Sequence, residues 1–192
     1  MRLVLLFLAV VVSVCPAALA QSGADGGGQP KVRNISMPAD STAGSISGNL
    51  SEGKKLSSLR WAENSAVACF PGTRFEQFNG SHVFYRIMLP PASAMKITLE
   101  PKDGKNINLY ALRQIAQGVP PVPPDIDKAV SCEASYPTYA NLPGGKRVEN
   151  EITSRSVEYI SVGSQYTILI GVAGAEGLTE GDYDLVIEIK PR

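Results

Sequence analysis

Met95-Lys96-Ile97-Thr98-Leu99-Glu100 and Asp182-Tyr183-Asp184-Leu185-Val186-Ile187-Glu188-Ile189-Lys190 decide the fold. The first alternates apolar and polar residues throughout; in the second only Val186 breaks the polar set. Strict period two marks a strand with one face in a core and the other in water. Residues 83–89, 107–112 and 166–172 are apolar on both faces, as expected of central strands that are covered on both sides or buried near the middle of a sandwich. Residues 109–117 admit a short helix, but a strand fits 107–112 better. Turn chemistry separates the runs: Leu89-Pro90-Pro91-Ala92-Ser93, then Asp103-Gly104-Lys105-Asn106 as a hairpin turn, then Gly163-Ser164 and Gly174-Ala175-Glu176-Gly177. Short strands at this spacing predict an all-β chain folded as an antiparallel β-sandwich.

Around that core lie two other kinds of segment. Met1 to Ala20 reads as a secretory signal peptide: Arg2, an apolar run over 3–14 broken only by Ser13, and Ala18-Leu19-Ala20 as the cleavage pattern. Its apolar run is too short for a membrane anchor. Lipidation at Cys15 is disfavoured because Val14, just before it, is not small. Residues 21–43, with Gly26-Gly27-Gly28, read as a flexible Gly/Ser-rich leader, and 44–192 as the sandwich domain. Pro120, Pro121, Pro123 and Pro124 make 118–127 a stiff, surface-exposed crossing loop.

Composition excludes several function classes. The 192 residues carry 18 Lys plus Arg against 18 Asp plus Glu, so there is no basic excess for nucleic acid or an anionic membrane. Without Cys15, two cysteines remain, Cys69 and Cys132, and in an exported chain they are expected to form a disulfide. With one histidine and no CxxC, zinc is not expected.

Catalysis finds little support. His82 reads as an exposed strand-edge residue without a nucleophile elbow, since Gly44-Ser45-Ile46-Ser47-Gly48 places Ile46 where the nucleophile would sit. Asp125 with Asp127, and Glu180 with Asp182 and Asp184, read as solvated carboxylates rather than a glycosidase pair. No cofactor is expected. Glu176, Glu180 and Asp182, in a Gly-rich loop, are the candidate calcium ligands, but loop solubility accounts for them and no ordered ligand spacing appears. Tyr136 and Tyr139 fall in a loop with no strand pattern to bury them and are the candidate contact residues; covering one end of the sandwich is the equal alternative. Trp61 and Phe70 read as core, and Tyr85, Tyr110 and Tyr183, which sit in strands, as core or sheet-face packing. The N-x-S triplets at Asn34, Asn49 and Asn79 would accept glycans only in a eukaryotic secretory pathway.

The order of these segments also resembles a known family. Phe78-Asn79-Gly80-Ser81-His82-Val83-Phe84-Tyr85-Arg86 runs through Leu89-Pro90-Pro91 into Met95-Lys96-Ile97-Thr98-Leu99. Asn108-Leu109-Tyr110-Ala111-Leu112 follows, then Tyr166-Thr167-Ile168-Leu169-Ile170-Gly171-Val172 and Gly181-Asp182-Tyr183-Asp184-Leu185. Over about 44–189 this looks like the bacterial pre-peptidase C-terminal domain. The resemblance implies a jelly-roll-like β-sandwich without catalytic activity. Such domains usually accompany secreted proteases, and some relatives bind collagen or other insoluble polymers. The chain departs from that pattern in lacking a catalytic domain and in carrying Asn106 and Asn108 where relatives often place aspartates, so no calcium role is carried over.

The resulting expectation is a secreted or periplasmic, non-catalytic binding or adhesion module for an extracellular protein or polysaccharide, without membrane insertion after cleavage. The alternative is a structural or stabilising subunit of a larger envelope or secreted assembly. Thiol labelling of the unfolded, unreduced mature protein should modify neither Cys69 nor Cys132; labelling of both would refute the pairing.

Overall fold

The computed structural model describes residues 29–38, 41–137, 139–141, 147–149 and 154–192, with the backbone alone for 139–141 and 147–149. The expected signal peptide lies outside the described residues. The strands are β1 (Val32–Asn34), β2 (Ala43–Asn49), β3 (Lys54–Lys55), β4 (Ser81–Leu89), β5 (Ser93–Pro101) and β6 (Ile107–Ile115). They continue with β7 (Ser131–Ser135), β8 (Tyr139–Asn141), β9 (Arg147–Glu149), β10 (Arg155–Ser161), β11 (Tyr166–Gly174) and β12 (Asp182–Pro191). Short 3-10 turns occupy Leu50–Glu52, Arg60–Glu63 and Gly72–Phe78.

Two sheets face each other. The first runs β1-β4-β11-β6-β7, with β3 also on β4; the second runs β10-β5-β12-β2. All pairings are antiparallel except β1 with β4. Between the sheets, Tyr85, Ile87, Leu109 and Ile170 of the first meet Ile97, Leu99, Leu185 and Ile187 of the second. The period-two segments became β5 and β12, whose alternate residues face water. The doubly apolar runs became β4, β6 and β11, the middle of the first sheet.

The outer face of that sheet is covered as well. Trp61, Phe70, Phe78, Tyr110 and Leu169 form a second core with Val122 and Ile126. The proline-rich crossing is therefore more than a surface loop: Pro120, Val122, Pro123 and Ile126 are buried. Gln114 Nε2 donates to the Pro121 carbonyl at 2.8 Å and Arg86 Nη2 to the Pro120 carbonyl at 3.0 Å, which holds it down. Cys69 in the covering layer is bonded to Cys132 on β7, as expected, and closes a 63-residue separation. A loop of that length gives about 4 kcal/mol in the chain-entropy account.

Three expectations change. Within 21–43, residues 32–34 join the first sheet as β1, and Ile35 and Met37 pack against the core. Alternating Ile35 and Met37 are enough to tie the end of the leader down once β4 offers an open edge. Asp103-Gly104 does form the tight turn, with φ of 54° and 64° and Lys105 N–H donating to the Lys102 carbonyl at 3.1 Å. It joins β5 of one sheet to β6 of the other, however, so it is a corner rather than a hairpin. Tyr139, expected in a loop, lies in residues 139–141, which pair with 147–149 as β8 and β9.

Gly171 lies opposite Tyr110 in the β11–β6 register, and a Cβ on it would fall within the Tyr110 ring. That ring is boxed in by Trp61, Phe70 and Phe78 and has no room to move. Gly171→Ala should therefore cost about 2 kcal/mol or more in denaturant titration. Gly163→Ala, where nothing lies within 4 Å of a new Cβ, should change the midpoint little.

Candidate functional site

The residues singled out from sequence are dispersed. His82 was expected at an exposed edge, yet it is fully buried. β4 presents it to the outer face of the first sheet, and the covering layer closes over that face. Tyr110 OH lies 2.9 Å from Nδ1 and the Phe78 carbonyl 2.7 Å from Nε2. A carbonyl only accepts, so Nε2 carries the proton and Tyr110 donates to Nδ1. Burial lowers the His82 pKa to about 4, against a smaller raising effect of the Phe78 carbonyl. A neutral imidazole used on both sides is a structural tie between β4, β6 and the covering layer.

Tyr136 is half-buried, edge-on to Phe78 at 5.5 Å, with the Arg74 guanidinium 5.9 Å from its ring centre. Tyr139 lies on β8. Among the described residues no three His, Cys, Asp or Glu side chains are placed to share a metal ion, Glu176, Glu180 and Asp182 included. Asp182 accepts from Asn49 Nδ2 at 2.7 Å, and Asp184 is bonded to Ser47 and Lys102. The Ser47 hydroxyl most of all, and then the Lys102 ammonium, hold the Asp184 carboxyl below its ordinary range. Asp125 accepts from Gln29 at 3.1 Å.

A different feature gathers at one end of the sandwich. The exposed large apolar side chains among the described residues are Met88, Ile115, Val119, Val130, Ile160 and Val162. The register brings them to the same end. Met88 stands opposite Thr167, and Ile115 opposite Tyr166. Val130 N–H donates to the Arg113 carbonyl, Arg113 Nη1 to the Ile160 carbonyl, and Ala92 N–H to the Val162 carbonyl. Val119 directly precedes the Pro120 that Arg86 holds.

Two clefts open at this end. One, of about 560 Å³, is lined by Ile35, Met37, Ile87, Met88, Pro90 and Ile189 among others. The other, of about 230 Å³, lies between Ile115, Pro120, Pro121 and Val130. Arg86 and Arg113 supply positive charge here. Each donates to a main-chain carbonyl, Arg113 lies 5.0 Å from the Tyr166 ring centre, and neither has a carboxylate within salt-bridge distance among the described residues. The opposite end carries Lys102, Asp103, Lys105, Glu176 and Glu180 on polar turns. No local sequence pattern announces the apolar end, because its residues come from five separate segments.

No family model matches the sequence, and comparison with curated proteins yields no match. Among solved structures, a periplasmic inhibitor of g-type lysozyme from Aeromonas hydrophila aligns at 10% identity and a TM-score of 0.42, covering 83% of this chain and 96% of that one. The pre-peptidase C-terminal domain of a Bacillus anthracis collagenase aligns at 10% identity and 0.39, covering 83% and 95%. A surface-associated copper-binding protein of Methylomicrobium album BG8 aligns at 8% identity and 0.40, covering 85% and 99%. At identities this low and with alignments this loose, what the chain does rests on its own residues.

The His82 arrangement gives a pH signature. In the unfolded chain its pKa returns to about 6.5. Between there and about 4 the unfolded chain takes up a proton that the folded one refuses, so stability falls with pH across that window. The contribution is about 3 kcal/mol, fully present above pH 6.5 and lost by pH 4. Denaturant titrations should show this slope from pH 6.5 to 5 and a flat line in His82→Gln. Titration of the lone imidazole near 6.5 by NMR in the native protein would contradict its burial.

Proposed function

We propose that the chain is an exported, non-catalytic binding module that takes an extracellular protein at the apolar end of the sandwich. The observation that carries this is the gathering there of the exposed large aliphatic residues, both clefts and two guanidinium groups without carboxylate partners among the described residues. Exposed apolar surface concentrated in one place is characteristic of interaction sites, and arginine is favoured among the residues that dominate interface energy. The matching partner surface is aliphatic with one or two carboxylates placed to meet Arg86 and Arg113.

A protein fits this end better than a polysaccharide. Sugar rings stack on flat, exposed aromatic faces, and none of the described Trp, Tyr or Phe side chains is fully exposed. Tyr136 is already engaged with Phe78, which favours its role as a cover of the aromatic layer; Tyr139 remains a candidate on the sequence reading alone.

Binding of the mature chain to the exported proteins of its producing cell, with chitin, cellulose, collagen and peptidoglycan sedimented in parallel, tests this. Retention on a protein should weaken at least tenfold in Ile115→Asp/Val162→Asp and hold in a folded Tyr136→Ala/Tyr139→Ala variant. Retention on a polysaccharide that depends on the tyrosines would move the site, and insensitivity to charge at the apolar end would sink the proposal.

A further inference from the structure

The free edge of the second sheet, formed by β2, has the features of a second contact surface. β2 pairs with β12 from Asn49 opposite Asp182 to Ala43 opposite Glu188. The ladder continues at both ends: Leu50 N–H donates to the Gly181 carbonyl at 3.0 Å and Ile189 N–H to the Thr42 carbonyl at 2.8 Å. Antiparallel strands make such direct exchanges at every second residue. Gly44, Ile46 and Gly48 therefore spend their main-chain groups on β12, while those of Ala43, Ser45, Ser47 and Asn49 point away from the sheet. No described strand pairs with that side. Ser41 Oγ caps the Ala43 carbonyl at 2.6 Å and the Asn49 carbonyl opens the 3-10 turn Leu50–Glu52, which leaves the main-chain groups of Ser45 and Ser47 open.

Edge strands are usually protected by lysine, proline, a bulge or extreme shortness. β2 has seven residues, Ala-Gly-Ser-Ile-Ser-Gly-Asn, with no charge, no proline and an unbroken register. It is also complementary to itself. Laid antiparallel against a second copy about a twofold axis at Ile46, Ser45 stands opposite Ser47, Gly44 opposite Gly48 and Ala43 opposite Asn49. The outward-pointing residues then meet one another, so free N–H groups find free carbonyls. Ile46, packed against the core of its own copy, meets its counterpart at the close spacing of a non-hydrogen-bonded pair, and no like charges oppose each other.

We propose that two copies of this chain join edge to edge through β2, antiparallel about Ile46, so that their second sheets become one continuous sheet. The interface is isologous, as twofold dimers require. An extended segment of another protein would use the same donors, but the match of β2 to itself in parity, size and charge favours a second copy.

Sedimentation velocity over a concentration series of the mature chain should show a monomer–dimer equilibrium. Ser45→Pro removes an N–H that makes no bond within one copy, at an edge position where proline is tolerated, and should weaken dimerisation at least tenfold while leaving the fold intact. Ile46→Cys places a thiol on the axis, within the Cα separation of roughly 4.4–6.8 Å that a disulfide needs, and should yield a covalent dimer under mild oxidation; Thr42→Cys should not. Ile115→Asp/Val162→Asp should dimerise as the parent does, which keeps this surface separate from the apolar end. A monomer at all concentrations, an undiminished dimer in Ser45→Pro, failure of Ile46→Cys to cross-link, or loss of the dimer in the apolar-end variant would each overturn the proposal.

Discussion

Tyr110 lies across Gly171, and most of the molecule is arranged around that contact. β6 and β11 are adjacent in the first sheet, and the bare Gly171 lets the phenol ring lie flat over the neighbouring strand. The ring then offers its other side to Trp61, Phe70 and Phe78 and its hydroxyl to His82. A sheet whose central strands are apolar on both faces is unstable until both are covered. The second sheet covers one face, and residues of the 3-10 turns and the proline-rich crossing cover the other. The disulfide holds that cover to β7, joining a layer that has little regular secondary structure of its own to the strands beneath it.

Covering both faces of the first sheet limits where the molecule can meet anything else. The outer face of the second sheet is lined by Lys96, Thr98, Glu100 and Asp184, with Asp184 tied to Lys102 and Ser47. On one side the sandwich is closed by β10, where Tyr159 donates to the Ala111 carbonyl and accepts from Glu133 N–H. Beyond these faces the described residues present two ends and, on the side away from β10, the edges of the three-residue β1 and the seven-residue β2. One end is a set of short polar turns. The other gathers aliphatic side chains that neither sheet needed for its core, and burial without an acidic partner lowers the Arg86 pKa there.

Strand positions were legible because period two is a local signal, and the doubly apolar runs correctly marked the middle of a sheet. His82 was misread for a related reason. In Ser81-His82-Val83-Phe84, a polar residue at alternate parity looks solvent-facing, but parity fixes only which face a residue takes. Whether that face is covered depended on the covering layer, where the Phe78 carbonyl accepts from the ring, and on Tyr110 of β6, which donates to it. The corner at Asp103-Gly104 shows the same limit, since turn chemistry dictates the turn and not whether the next strand returns to the same sheet. The pairing of Cys69 with Cys132 was readable because Cys15 falls in the expected signal peptide, which leaves two cysteines to pair. The apolar end was invisible, since residues as distant as Met88 and Val162 become neighbours only through the register of folded sheets.

Asn108 shows how the cover is tied to both sheets. It is a fully buried asparagine on β6. Its Nδ2 donates to the Gln77 carbonyl at 2.8 Å, and its Oδ1 accepts from Arg155 Nε at 3.0 Å. One amide thus links the covering layer, the first sheet and the first residue of β10 in the second. An ionised aspartate could accept from Arg155 but would face the Gln77 carbonyl with no proton to give, leaving two buried oxygens opposed. The amide is the group that serves both neighbours, so the residue at this position follows from the cover on the first sheet.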